Sequence, residues 1–127
     1  MTARWWRLLA VGAILTCLAA PAAAQAPSSW DGVWSDGQGG VRYLESRGRF
    51  VTSQGGDAAT VFTAAYLATG TTAEGHGDGV NHALGQRFLY WSKLTLQADG
   101  SLVEEWRVAF PDAPAREGRS TFRRPAR

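Results

Sequence analysis

The chain is expected to fold as an all-β protein, an antiparallel up-and-down meander, and three observations carry that expectation. Beyond the first 27 residues no stretch sustains apolar residues at the spacing of an amphipathic helix. Runs that alternate apolar and polar residues recur about every ten positions, the rhythm of short strands joined by turns. Glycines bound those runs, where a reversing backbone needs a residue free of Cβ.

The N-terminal segment, MTARWWRLLAVGAILTCLAAPAAAQAP, places Arg4 and Arg7 before an apolar run from Leu8 to Ala20 and then a series of small residues. This is the layout of a secretory signal peptide, with Ala22 and Ala24 at the positions a signal peptidase reads. The expected division is a signal-peptide helix over residues 1–24, cut after Ala24, and a single domain over 25–127. The expected destination is the periplasm or the cell exterior. The run is shorter than the roughly 20 residues of a spanning helix, so no transmembrane span is expected in the mature chain. Cys17, the only cysteine, lies inside the leader, and Thr16 before it is larger than the residue that normally precedes a lipidated cysteine. The exported domain then has no disulfide, and packing alone must hold it. About 100 residues suffice for one domain that buries roughly two-thirds of its unfolded surface.

The strands follow in order. WDGVWS opens the series. VRYLESRGRFVTS forms a hairpin; with Ser46, Arg47 and Gly48 as a loop, Glu45 pairs with Arg49, Leu44 with Phe50 and Tyr43 with Val51. ATVFTAAYLATGTTA supplies one or two further strands, with Gly70 as a bend. The next stretch, TTAEGHGDGVNH, reads best as a polar connecting loop that forms a turn-rich rim, because three glycines fall within five residues. RFLYWSKLTLQADGSLVEEWRVAF is the clearest hairpin. A loop of Ala98, Asp99 and Gly100 pairs Phe88 with Phe110, Tyr90 with Val108, Ser92 with Trp106, Leu94 with Glu104 and Leu96 with Leu102, which gathers the apolar residues on one face. The opposite face then matches Lys93 with Glu105 and Trp91 with Arg107. RSTFRR closes the series.

The opening strand carries Gly32, Val33 and Trp34, a Gly-x-Trp triplet, and the closing strand carries Arg123 and Arg124. This arrangement resembles the calycin group of small antiparallel barrels, which includes lipocalins, avidins and lipocalin-like exported bacterial domains. The resemblance implies a tryptophan, Trp34, packed under Arg123 or Arg124 to close the bottom of a small lipocalin-like barrel. Such closure removes the exposed strand edges that invite aggregation.

Two sets of residues carry candidate chemistry. Tyr43, Phe62, Tyr90 and Trp106 belong to an aromatic set suited to lining a cavity for a small apolar or amphipathic molecule. Glu104 joins them: its register points it at the apolar face, where it would anchor a polar ligand group or bind an arginine, although the simpler reading is a solvated residue near the loop end. Separately, an extended backbone from Thr72 would align Glu74, His76 and Asp78 on one face, with His82 close by, a donor set suited to a divalent metal or to acid and base chemistry. A histidine flanked by acids would also make that loop pH-responsive.

Of thirteen basic and eleven acidic residues, Arg4 and Arg7 leave with the leader, and the remaining chain is nearly neutral. Eight basic residues against five acids from Arg87 onward make the C-terminal end basic, a feature of a solvated strand or of an envelope interaction protein that docks on an anionic surface. No Gly-x-Ser-x-Gly elbow, phosphate-binding glycine loop or zinc-finger spacing occurs, and no nucleic-acid partner is expected of an exported chain. The function expected from the sequence is binding of a small apolar or amphipathic ligand rather than catalysis. A metal-dependent or acid-base enzyme using Glu74, His76, Asp78 and His82 is the alternative. No motif names a cofactor, an oligomeric state or a specific ligand.

Overall fold

A computed structural model describes residues 29–126 of the protein. The leader, its cut after Ala24, Cys17 and Arg127 lie outside the described residues. Among the described residues the chain forms eight strands: β1 (Gly32–Ser35), β2 (Val41–Arg47), β3 (Phe50–Gly56), β4 (Thr60–Thr69), β5 (Thr72–Asn81), β6 (Gln86–Leu96), β7 (Leu102–Ala109) and β8 (Arg116–Phe122). Each pairs antiparallel with the next in one sheet. The meander expected from the alternation is therefore present. The sheet curls into a half-barrel, and its two edges meet at one bridge, where Ser35 and Arg123 exchange two backbone hydrogen bonds of 2.8 Å each.

The alternation in the sequence becomes the inner and outer faces. On β4, Phe62, Ala64, Tyr66 and Ala68 point inward while Val61, Thr63, Ala65 and Leu67 are exposed. On β6 the inward set is Phe88, Tyr90, Ser92, Leu94 and Leu96. The β6–β7 pairing matches Tyr90 with Val108, Ser92 with Trp106 and Leu94 with Glu104, and Gly100 in the connecting loop has a φ of 86°. A tripeptide bend with its last residue in the left-handed region sets this register, as the sequence predicts. Opposite it, Arg107 lies 5.9 Å from the Trp91 ring on the outer face.

The β2–β3 hairpin differs from expectation. Arg47 pairs with Phe50, so the loop is the dipeptide Gly48-Arg49, and Leu44 faces Ser53 rather than Phe50. Gly48, with a φ of 61°, stands first in this two-residue loop, the place where a tight hairpin turn of the II′ pattern wants glycine. The partner numbers change by an odd count relative to the three-residue loop, so the pairing of the faces inverts. Arg42, Leu44, Val51 and Ser53 line the interior, whereas Tyr43 and Phe50 stand outside.

The stretch from Thr71 to His82 is also not a loop. It is the regular ten-residue strand β5, paired along its length with both β4 and β6. Gly75, Gly77 and Gly79 all face inward, and a Cβ at any of them would run into the backbone of β4. At Gly79 such an atom would also lie 2.7 Å from Phe62 Cβ and 2.5 Å from the Phe88 ring. The glycines therefore suit a strand whose inner face carries no side chain, and two flanking ladders outweigh their weak strand preference.

The half of the interior nearer the 48–49, 70–71 and 98–100 turns is solid, filled by Leu44, Val51, Ala68, Ala73, Leu94, Leu96 and Leu102. Trp34 and Phe122 from the two edge strands join the same core. Gly77→Val should destabilise the protein by about 3 kcal/mol, the upper end of the range for overpacking, because rigid backbone rather than a movable side chain opposes the new methyls. Urea denaturation followed by tryptophan fluorescence would check this, with His76→Val, on the exposed face of the same strand, expected to change stability by less than about 1 kcal/mol.

Candidate functional site

Because the strands alternate in direction, the 36–40, 57–59, 82–85 and 110–115 connections gather at one end of the half-barrel. Between them lies a cavity of about 260 Å³. Phe62, Phe88, Tyr90, Trp106, Phe110 and Phe122 form its aromatic wall, and Asp36, Asp57, Asn81 and Arg116 stand around it. Around Phe88 the rings pack edge to face, meeting Phe110 at 5.8 Å and 62° and Tyr90 at 6.5 Å and 72°, while Phe62 and Tyr90 are tilted by 38° at 5.0 Å. Such tilted pairs favour the ring quadrupoles and hold the wall in shape.

Below the aromatic wall is a polar layer centred on Glu104, whose side chain is fully buried. Its Oε1 accepts a charged hydrogen bond from Arg42 Nη2. Its Oε2 accepts from the Tyr90 hydroxyl and, at 2.8 Å, from the Ser92 hydroxyl. The solvated reading of Glu104 is thus overturned: the curl of the sheet lays the guanidinium of β2 against β7 and removes water from the carboxylate. A buried carboxylate persists only when cation and donors surround it in this way.

Arg42 is also buried, and it lines the cavity. Its guanidinium carbon lies 4.0 Å from the Phe62 ring centre and 5.0 Å from that of Phe122, a cation held between aromatic faces. Only Nη2 is paired; Nε and Nη1 have no hydrogen-bond partner among the described residues. Tyr66 Oη and Ser53 Oγ, in the same polar layer, also have none. Burial first, and the negative charge of Glu104 second, push the Tyr66 hydroxyl up to about 12 and push Tyr90 upward for the same reasons. At the mouth, burial works to raise the Asp57 carboxyl, but hydrogen bonds from Ala59 N and from the Thr60 amide and hydroxyl, with help from Arg42, bring it below its ordinary value. Asp36 is likewise fixed, accepting from Gln38 N at 2.7 Å and Gly40 N at 2.8 Å.

Of the residues expected at a ligand site, Phe62, Tyr90 and Trp106 border the cavity and Glu104 lies in the layer beneath it. Tyr43 does not join them: it is on the outer face, 49% exposed, because the two-residue turn puts Arg42 and Leu44 on the inward parity of β2. Glu74, His76 and Asp78 do share one face of β5, as an extended backbone dictates, but that face is the outer one and all three are exposed. His82 sits in the turn after β5, its backbone amide donating to Ala59 O. Among the described residues no three His, Cys, Asp or Glu side chains come together as a metal site.

Arg42 is the residue that sequence reasoning passed over. The available signal was parity. Arg42 shares a face with Leu44 on β2, Glu104 shares one with Trp106 and Val108 on β7, and opposite charges on two inward faces suggest a buried pair. At the opposite end of the chain Arg124 lies 4.3 Å from the Trp34 ring centre, and it donates to Asp31 O and Ser29 O at 2.6 Å each. No protein-family model matches the chain, and no curated protein matches it.

Two outcomes are expected. Glu104→Ala should cost about 3–5 kcal/mol in urea denaturation, since it strands a buried guanidinium, while the double replacement Arg42→Leu/Glu104→Leu should cost markedly less than the single one. Stability should also fall in alkali. The unfolded chain ionises tyrosine from its ordinary value of 10.0, whereas folded Tyr66 keeps its proton to about 12. The contribution is therefore complete below pH 10 and is lost as pH rises toward 12, by about 1.4 kcal/mol per pH unit for each such tyrosine. Denaturation midpoints across that window check the slope, and Tyr66→Phe should flatten it.

Proposed function

We propose that this protein is an exported, calycin-like binding domain that holds a small amphipathic molecule in the aromatic cavity. One observation carries the reading: a 260 Å³ space walled by aromatic rings is bordered by a buried arginine and by the polar side chains of Asp36, Asp57 and Asn81. Apolar walls with a few fixed polar groups are the usual composition of a small-molecule site, in which rings supply contact area and the polar group fixes orientation. The space equals the liquid volume of about nine waters, which suits a single ring with a substituent rather than a long chain. The stacking of Arg124 on Trp34 supports the calycin-like reading, as it joins the first and last strands in the manner that resemblance implies. The Arg4, Arg7 and apolar-run pattern of the leader supports export.

A ligand entering this cavity should alter the fluorescence of Trp106, which lies in its wall. Titration with a panel of single-ring compounds is expected to give saturable quenching. Val108→Phe, which fills the cavity from β7 with little change in fold, should weaken that binding by at least about tenfold. Saturable binding that survives Val108→Phe undiminished would place the ligand elsewhere.

A further inference from the structure

We propose that this protein pairs with a second copy of itself along the free edge of β8, in an antiparallel register centred on Gly118. The contact lies at the seam of the half-barrel and holds whether or not the cavity is filled.

Strand β1 is four residues long and meets the end of β8 only at the Ser35–Arg123 bridge. Among the described residues, the backbone of residues 116–121 pairs with β7 alone. Arg123 turns both its N–H and its C=O toward Ser35. Backbone groups in an antiparallel ladder alternate sides from residue to residue, so those of Thr121, Arg119 and Glu117 point the same way, out of the sheet edge. All three residues are exposed. Such a row of donors and acceptors is a template for another strand.

The outer face of the sheet selects which strand. Across β5 to β8 one row of directly opposed side chains runs Glu74, Lys93, Glu105, Arg119, with the charge alternating at every step. The adjacent row runs His76, Trp91, Arg107, Glu117, and Arg107 Nε lies 3.6 Å from Glu117 Oε2. One row therefore ends at the open edge in a cation and the other in an anion. A two-fold axis through Gly118 brings Arg119 of each copy opposite Glu117 of the other. The alternation then continues unbroken, from Glu105 and Arg119 of one copy to Glu117 and Arg107 of the second. The outward backbone groups of Glu117 and Arg119 meet in the same register and exchange hydrogen bonds.

Neighbouring registers fail on these same residues. An axis at Glu117 or at Arg119 sets like charges face to face. An axis at Ser120 requires the edge of Arg123, which Ser35 already occupies. Charges on an edge strand ordinarily guard it against pairing, but a guard of both signs, two residues apart, excludes the wrong registers and favours this one. Gly118 at the axis presents no side chain to obstruct the approach. Arg116 of each copy then stands opposite Ser120 of the other, and both residues border the cavity. Exposed charges and one short strand per copy make the association weak, with a Kd on the order of 100 µM.

Sedimentation velocity of the intact mature protein, from about 10 µM to about 1 mM, should show a dimer fraction that rises with concentration. The NMR amide signals of Glu117 and Arg119 should shift over the same range. Arg119→Glu and Glu117→Arg, each checked for folding by circular dichroism, should each weaken self-association by at least about tenfold, and mixing the two variants should restore it, because each then meets its opposite charge. A protein that stays monomeric throughout overturns the proposal. So does self-association undiminished in both variants, or a mixture no tighter than either alone. If a variant misfolds, the amide signals of the unaltered protein decide: concentration-dependent shifts that spare β8 overturn the pairing.

Discussion

Arg42 and Glu104 stand on β2 and β7, which are not neighbours in the sheet order, and they are separated by 62 positions in the chain. A flat eight-stranded sheet would keep them apart and leave both in water. Their contact exists only because the sheet curls, and the curl can persist only if the two charges meet as it expels solvent from them. Removing water from a carboxylate and a guanidinium is costly, and the cost is offset by their mutual attraction and by the hydroxyls of Tyr90 and Ser92 on the second carboxylate oxygen. The pair therefore ties the curvature of the sheet to the chemistry of its interior, and every feature of the cavity above it is set by where that layer lies.

The interior is divided by that layer into two unlike halves. On one side aliphatic residues are buried against one another as a core. On the other, aromatic rings stand around a space they do not fill. The glycines of β5 contribute to the asymmetry. With no side chains projecting from Gly75, Gly77 and Gly79, the inner surface of β5 is bare backbone, against which the Phe88 ring and the Cβ of Phe62 pack closely. A strand of ordinary composition at that place would displace the Phe88 ring into the open half.

Where the two edges of the half-barrel meet, the constraint is different. β1 contributes only four residues, and a single bridge joins it to the end of the last strand. Arg124 reinforces that narrow seam by stacking on Trp34 and bonding to two carbonyls that precede β1. Trp34 is itself fixed from the other side, its indole nitrogen donating to Trp30 O at 2.9 Å. An arginine suits this task because a planar cation can lie on a ring while its edge donates hydrogen bonds.

Alternation along the chain was enough to determine the all-β class, the meander and the register of the β6–β7 hairpin from Leu89 to Leu102, since these depend on residues close in sequence and on a loop glycine. It also determined that Glu74, His76 and Asp78 share a face. It did not decide which face, because a strand with glycine at every second position has no apolar side to mark as inward. The same limit applied to the β2–β3 hairpin, where a one-residue difference in loop length inverts the pairing and moves Tyr43 outside. Only the tertiary structure decided that Arg42 and Glu104 meet and that Glu104 is dry, because burial of a charge depends on a partner brought from a distant strand. Local pattern could place each of these residues on an inward parity, but the distance between them belongs to the curl of the whole sheet.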